Sequence, residues 1–302
     1  MARFLAPGRY KANMGWKSVA DLIGEEGEVA LVGAPMEAGS VTPGRCDLAP
    51  DIVRRALRRF STYDVETGAE LDLGLRDAGD APVQGVSPAD GFEPIRAAVA
   101  AETARHGLTL LLGGNNAVTR PAAHALGVPL DRVGLITLDA HFDMRGTEDG
   151  PMNGNPVRCL IEDGLPGWNI CQIGLAPFAN TAEMHRDAQA AGIAVFTAAD
   201  CHARGILAVV EEALARLAHK ELLFVDFDID VIDRAQLPGA PGARPGGLPV
   251  RDFFAAARRL AAEPRLRLAD LTEFDPSLDL SDIAALTAGR WVCEMLAGFS
   301  AR

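Results

Sequence analysis

The chain has 302 residues, 48% of them hydrophobic, and a formal net charge of −12. That length can bury a large core, and the acidic balance argues against a nucleic-acid partner, which needs clustered Lys and Arg along the phosphates. No apolar run reaches the about 18 residues a bilayer span requires, and MARFLAPGRYKANMGWKS has no apolar signal core, so no membrane partner is expected. Cys46, Cys159, Cys171, Cys201 and Cys293 show no paired spacing, which points to reduced thiols and a cytoplasmic setting.

In chain order the pattern predicts a strand over 28–34, a helix over 47–60 and a surface excursion from Ser61 to Gly91 with at most a short strand. A helix over 92–106, a strand over 108–114, a helix over 116–126 and strands over 133–140 and 169–175 follow. The remainder reads as helix 181–191, strand 193–197, helix 204–219, strand 222–230, helix 249–262, strand 266–274 and helix 280–298. Near-continuous apolar strands alternating with helices imply one α/β domain over 1–302, its mainly parallel sheet covered on both faces. In such sheets a ligand site lies beyond the carboxyl ends of the strands.

Two acidic runs stand at those ends. In extended backbone alternate residues share a face, so Asp139, His141 and Asp143 can converge, as can Asp226, Asp228 and Asp230, with Val225, Phe227 and Ile229 turned the other way. Carboxylates crowded at an apolar sheet edge repel and lose hydration, and a divalent cation is the economical remedy. Oxygen ligands with one imidazole suit Mn²⁺. A lone acidic run more often caps a strand and faces water; two such runs, one carrying a His, favour a metal site over that reading.

In order, GGNNAVTRP (113–121), LDAHFDMR (138–145), GPMNGNPVR (150–158), DFDIDVIDR (226–234), PGAPGARPGGL (238–248) and DLTEFDP (270–276) resemble the motifs of the arginase, agmatinase and formimidoylglutamase (ureohydrolase) family. GAPMEAGSVTPGRCDLAPDIVRRAL (33–57) is similar to that family's first strand, loop and helix. The resemblance implies a three-layer αβα fold with an eight-stranded central sheet, a homo-trimer or homo-hexamer, and one or two Mn²⁺ per chain. It implies that Asp139 and Asp228 bridge two ions, that Asp143 serves one position and His141 with Asp230 the other, and that Glu273 orients the substrate's cationic head. It also implies hydrolysis of a linear amidine C–N bond by metal-activated water, with Asp143 accepting a proton.

Several positions depart from the family pattern. Asn116 stands where a His ligand is usual, making it a weak ligand, and Asn153 stands where a proton-shuttling His is usual. Asn153 and Asn155 then become substrate-binding candidates, and Asp226 replaces a usual Ser, either as a hydrogen-bond acceptor behind the ligands or as an extra negative charge compensating a missing ligand. Ala176, Pro177, Phe178 and Ala179 offer no acid for an α-ammonium, which counts against L-arginine. Arg145 and Arg158, with Arg120, are candidates for a carboxylate clamp, although an Arg outside the core is usually a solvated charge. The expected reaction is formimidoylglutamase-like, N-formimino-L-glutamate to glutamate and formamide; alternatives are a guanidino acid, agmatine, or a silent scaffold. His124 lies about two helical turns beyond Asn116, too far to replace the missing ligand, and His106, His185, His202 and His219, with Cys159 and Cys201, read as surface or core residues.

Overall fold

The computed structural model describes residues 15–302, so the amino-terminal segment read for targeting lies mostly outside the described residues. Parallel strands run β1 (Ile23–Gly24), β2 (Val29–Ala34), β5 (Leu75–Asp80), β6 (Leu108–Gly113), β7 (Val133–Leu138), β8 (Ile170–Leu175), β9 (Ala194–Thr197), β10 (Leu222–Asp228) and β11 (Leu266–Thr272), while β3 (Tyr63–Asp64) and β4 (Ala69–Glu70) pair apart from them. The spatial order is β1-β5-β2-β6-β11-β10-β7-β8-β9. Eight strands are substantial; the ninth, β1, adds two residues at one edge.

The apolar runs are strands because both faces are covered. In β6 Leu110 and Leu112 enter one core and Leu111 the other; in β10 Val225 and Phe227 face one side and Phe224 the opposite one. The first core is closed by α1 (Ala49–Ala56), α6 (Ala198–Arg204), α7 (Ile206–Arg216), α8 (Val250–Ala261) and α9 (Ile283–Phe299). The second is closed by α2 (Pro88–Thr103), α3 (Thr119–His124), α4 (Pro156–Glu162) and α5 (Ala182–Ala191). Phe227 meets the rings of Phe253 and Trp291 edge-on, each at 5.5 Å, tying β10 to α8 and α9.

Three elements differ from the sequence expectation. β5 lies inside the presumed surface excursion; its LRDAGD sequence is polar because the strand is buried only at its start. α4 and α6 were not expected, although Pro156 at a first helical turn and a reciprocal Thr197–Asp200 cap mark their starts.

Candidate metal centre

The four central strands β6, β11, β10 and β7 end side by side, and each delivers site residues at its carboxyl end. Asn116 follows β6, Glu273 follows β11, Asp228 closes β10, and Asp139, His141 and Asp143 follow β7. β7, β10 and β11 stop two residues earlier than expected, so simple alternation does not bring these side chains together. Asp143 and Glu273 have left-handed backbone, φ 53° and 62°, and Asp230 arrives in a 3₁₀ turn whose N–H donates to Asp228 Oδ1 at 2.9 Å. Turns therefore aim these side chains where the extended chain could not.

His141 Nδ1 lies 3.0 Å from Asp230 Oδ2 and 3.4 Å from Asp139 Oδ1. One ligand atom from each of the three residues falls within 4.8 Å of the others. Asp139 also accepts the His141 N–H at 2.6 Å through Oδ1, while its Oδ2 is buried with no hydrogen-bond partner. Gly242 closes over the group: a Cβ there would sit 2.0 Å from Asp230 Oδ2 and 3.0 Å from His141 Cε1.

The electrostatics report crowding. Burial, then the field of Asp230, raises Asp139 to about 6. Burial also lifts Asp143 and Asp228 well above the carboxyl range, and Glu273 to about 7. The field of Asp230 raises His141 to about 12 against burial, whereas burial pushes Asp230 up and the His141 charge outweighs it, leaving Asp230 below its ordinary value. The imidazolium thus occupies the role of a cation. An unpartnered carboxylate oxygen beside two hard donors and an imidazole is a set that a divalent ion satisfies.

Asn116 does not fit the weak-ligand role in this arrangement. Its Nδ2 donates to Asp143 Oδ2 at 2.6 Å, and its carbonyl turns away to the hydroxyls of Thr119 at 2.6 Å and Thr272 at 3.3 Å. An amide NH₂ cannot ligate a cation, so Asn116 positions Asp143 instead. Its backbone N–H and Asn153 Nδ2 both donate to Glu273 Oε1, at 2.8 and 2.9 Å. Asn153 therefore sits at the centre beside Glu273.

Asn155 does not. It is fully buried, its amide donating to Gly146 and Gly150 carbonyls while accepting from Met152 N–H, so it braces the loop and has nothing left for a substrate. Arg158 is tied to Asp187 and the Met144 carbonyl, and Arg120 to Asp163; a clamp built on these two is corrected, because their charges are already matched. Arg145 is exposed with its stem over Gly154.

Asp226 faces Asp270 across the β10–β11 ladder, both fully buried beneath the ligands. A carboxylate cannot donate, so the pair is satisfied only when it holds a proton; burial, then Asp270, pushes Asp226 far up, and burial raises Asp270 to about 7. This corrects the expectation that Asp226 is a simple acceptor. Asn180 went unnoticed in sequence. Its amide accepts from Phe142 N–H at 2.8 Å and donates to the Ala140 carbonyl at 2.9 Å, pinning the ligand loop. The 172–181 run was read only for its missing acids, and an amide so placed was the available signal.

The sequence matches the arginase family over residues 27–298. It is 32% identical over 274 residues to the formimidoylglutamase of Halalkalibacterium halodurans, covering 89% of this chain and 86% of that protein. The crystal structure of formimidoylglutamase from Bacillus subtilis superposes with a TM-score of 0.90 at 26% identity, covering 97% of this chain and 95% of that one. Trypanosoma cruzi formiminoglutamase, solved with a pair of Mn²⁺ ions, has the same fold, with a TM-score of 0.87 at 22% identity over 95% and 99% of the chains. With carboxylates and an imidazole gathered at the ends of the central strands and this match across nearly its whole length, the chain belongs to the arginase family.

Proposed function

We propose that this chain is a manganese-dependent hydrolase of formimidoylglutamase type, converting N-formimino-L-glutamate and water to L-glutamate and formamide. It works as one arginase-like domain in a cytoplasmic homo-trimer or homo-hexamer. The observation that carries the metal reading is the buried, unpartnered Asp139 Oδ2 beside His141 and Asp230. Among the described residues no helix is long and apolar enough to cross a membrane.

Asp139, His141 and Asp230 would hold one Mn²⁺, and Asp143 with Asp228 would contribute to a second. When bound, the metal acts as a Lewis acid that lowers the pKa of water. Glu273 presents Oε2 to the amidinium head, because Oε1 is taken by Asn116 and Asn153. Asp143 has Oδ2 held by Asn116 and Oδ1 free to accept the proton of the attacking water. As the C–N bond breaks, the glutamate nitrogen needs a proton. Asn153 cannot supply it; the Glu273 carboxyl, held at the centre by Asn116 and Asn153, is placed to relay one. The acid-free 176–179 loop suits a substrate whose tail is anionic.

Elemental analysis before and after Mn²⁺ loading, with hydrolysis of formiminoglutamate, agmatine and guanidinobutyrate, tests this. One or two ions per chain with preference for formiminoglutamate is expected, and Asp228→Asn should lose metal and turnover together. No bound metal after loading, or turnover unchanged in that variant, defeats the proposal.

A further inference from the structure

The centre concentrates five carboxylates, Asp139, Asp143, Asp228, Asp230 and Glu273, in buried positions. Metal ions offset that charge at the amidine head, yet an anionic tail approaching the same mouth still needs cations of its own. Arg120 and Arg158 are matched by Asp163 and Asp187, and Arg45 by Asp47. Arg234 turns inward to the Ala240 and Pro241 carbonyls.

Arg244 is different. It is exposed, and among the described residues its side chain meets backbone alone: Nη1 donates to the Gly242 carbonyl at 2.5 Å and to that of Ala243 at 3.3 Å. Gly242 is the residue packed against Asp230 and His141, so the guanidinium is tethered one residue from the metal-ligand side chains. Nε and Nη2 remain open as a fork of the kind that takes a carboxylate in two parallel hydrogen bonds. Pro241 and Pro245 flank the turn and restrict its backbone, and the tether limits the side chain, so little freedom is lost on binding.

We propose that Arg244 is a specificity-determining residue that captures a carboxylate of the substrate's tail at the mouth of the metal centre. This rests on the formimino-acid reading above. The test is steady-state kinetics of the Mn²⁺-loaded Arg244→Gln and Arg244→Lys proteins on formiminoglutamate and on an N-alkylformamidine whose tail carries no carboxylate, with metal content and melting temperature measured alongside.

Loss of a charge-assisted hydrogen bond corresponds to a KM about ten- to one-hundredfold higher. Arg244→Gln is expected to raise KM for formiminoglutamate by that factor with kcat, metal content and melting temperature unchanged, and to leave the carboxylate-free amidine unaffected. Arg244→Lys should recover only part, since an ammonium lacks the fork. An unchanged KM, an equal loss on the carboxylate-free substrate, or a fall in metal content overturns the inference. A wild-type protein inactive on formiminoglutamate removes the substrate reading and this inference with it, whereas an active wild type with an indifferent Arg244→Gln removes the inference alone.

Discussion

Stripping the metal should turn the centre into a pH-dependent weak point. In the metal-free protein Asp139 rises from 3.8 to about 6, Asp270 from 3.8 to about 7 and Glu273 from 4.5 to about 7, each first by burial. A carboxyl raised on folding contributes stability that is full below its unfolded value and is lost as pH climbs through its folded one. The metal-free fold therefore weakens between about pH 4 and about 7. For Asp270 alone the rise corresponds to about 4 kcal/mol, set against a typical domain stability of about 5–15 kcal/mol. Asp230, held below its ordinary value, acts in the opposite sense, its contribution being lost only as pH falls below 3.8. His141, raised from 6.5 to about 12, keeps its proton in the folded protein while the unfolded chain loses it above about 6.5, so it adds to the fall from there upward.

Calorimetry of chelator-treated protein from pH 5 to pH 8 should show the melting temperature falling by about 10 °C. Added Mn²⁺ should restore more at pH 8 than at pH 6, because an ion entering the site must displace the proton on His141 and those shared by the carboxyls. A metal-free melting temperature that is flat or rising over this range, or equal stabilisation by Mn²⁺ at both pH values, would refute the reasoning.

Two substitutions probe the neighbouring architecture. Gly242→Ala puts a methyl 2.0 Å from Asp230 Oδ2, so it should expel Mn²⁺ while the far-ultraviolet circular dichroism stays native; full metal occupancy would show that the loop yields instead. Thr119→Val removes the hydroxyl within hydrogen-bond reach of both Asn116 and Asp270 in a fully buried position and should cost about 1–3 kcal/mol in urea unfolding. A change near zero would mean that Thr272 alone satisfies the Asn116 carbonyl.

The sheet and most of the residues that gather at the centre were legible because each depends on a local pattern: apolar runs such as LTLLLGG fix strands buried on both faces, and two acidic runs at strand ends, one carrying a His, are hard to explain as caps alone. What was not legible depended on partners distant in sequence. Arg120 and Arg158 look free until the fold brings Asp163 and Asp187 to them. The direction of the Asn116 amide is set by Thr119, three residues on, and by Thr272 and Asp143 from other strands. Asp270, which reads as an ordinary strand acid, gains its meaning from Asp226 across the ladder. The β5 strand escaped notice because an outer strand with exposed positions carries no apolar periodicity to read.

The left-handed backbone at Asp143 and Glu273 carries a separate implication. A side chain in that region costs about 1–3 kcal/mol unless the surroundings impose it, and glycine alone would relax it without penalty. At both positions the residue that chemistry demands is the one the backbone resists. Folding and catalysis thus pull these two sites in opposite directions, and selection for thermal robustness alone would drift towards an inert, better-relaxed protein.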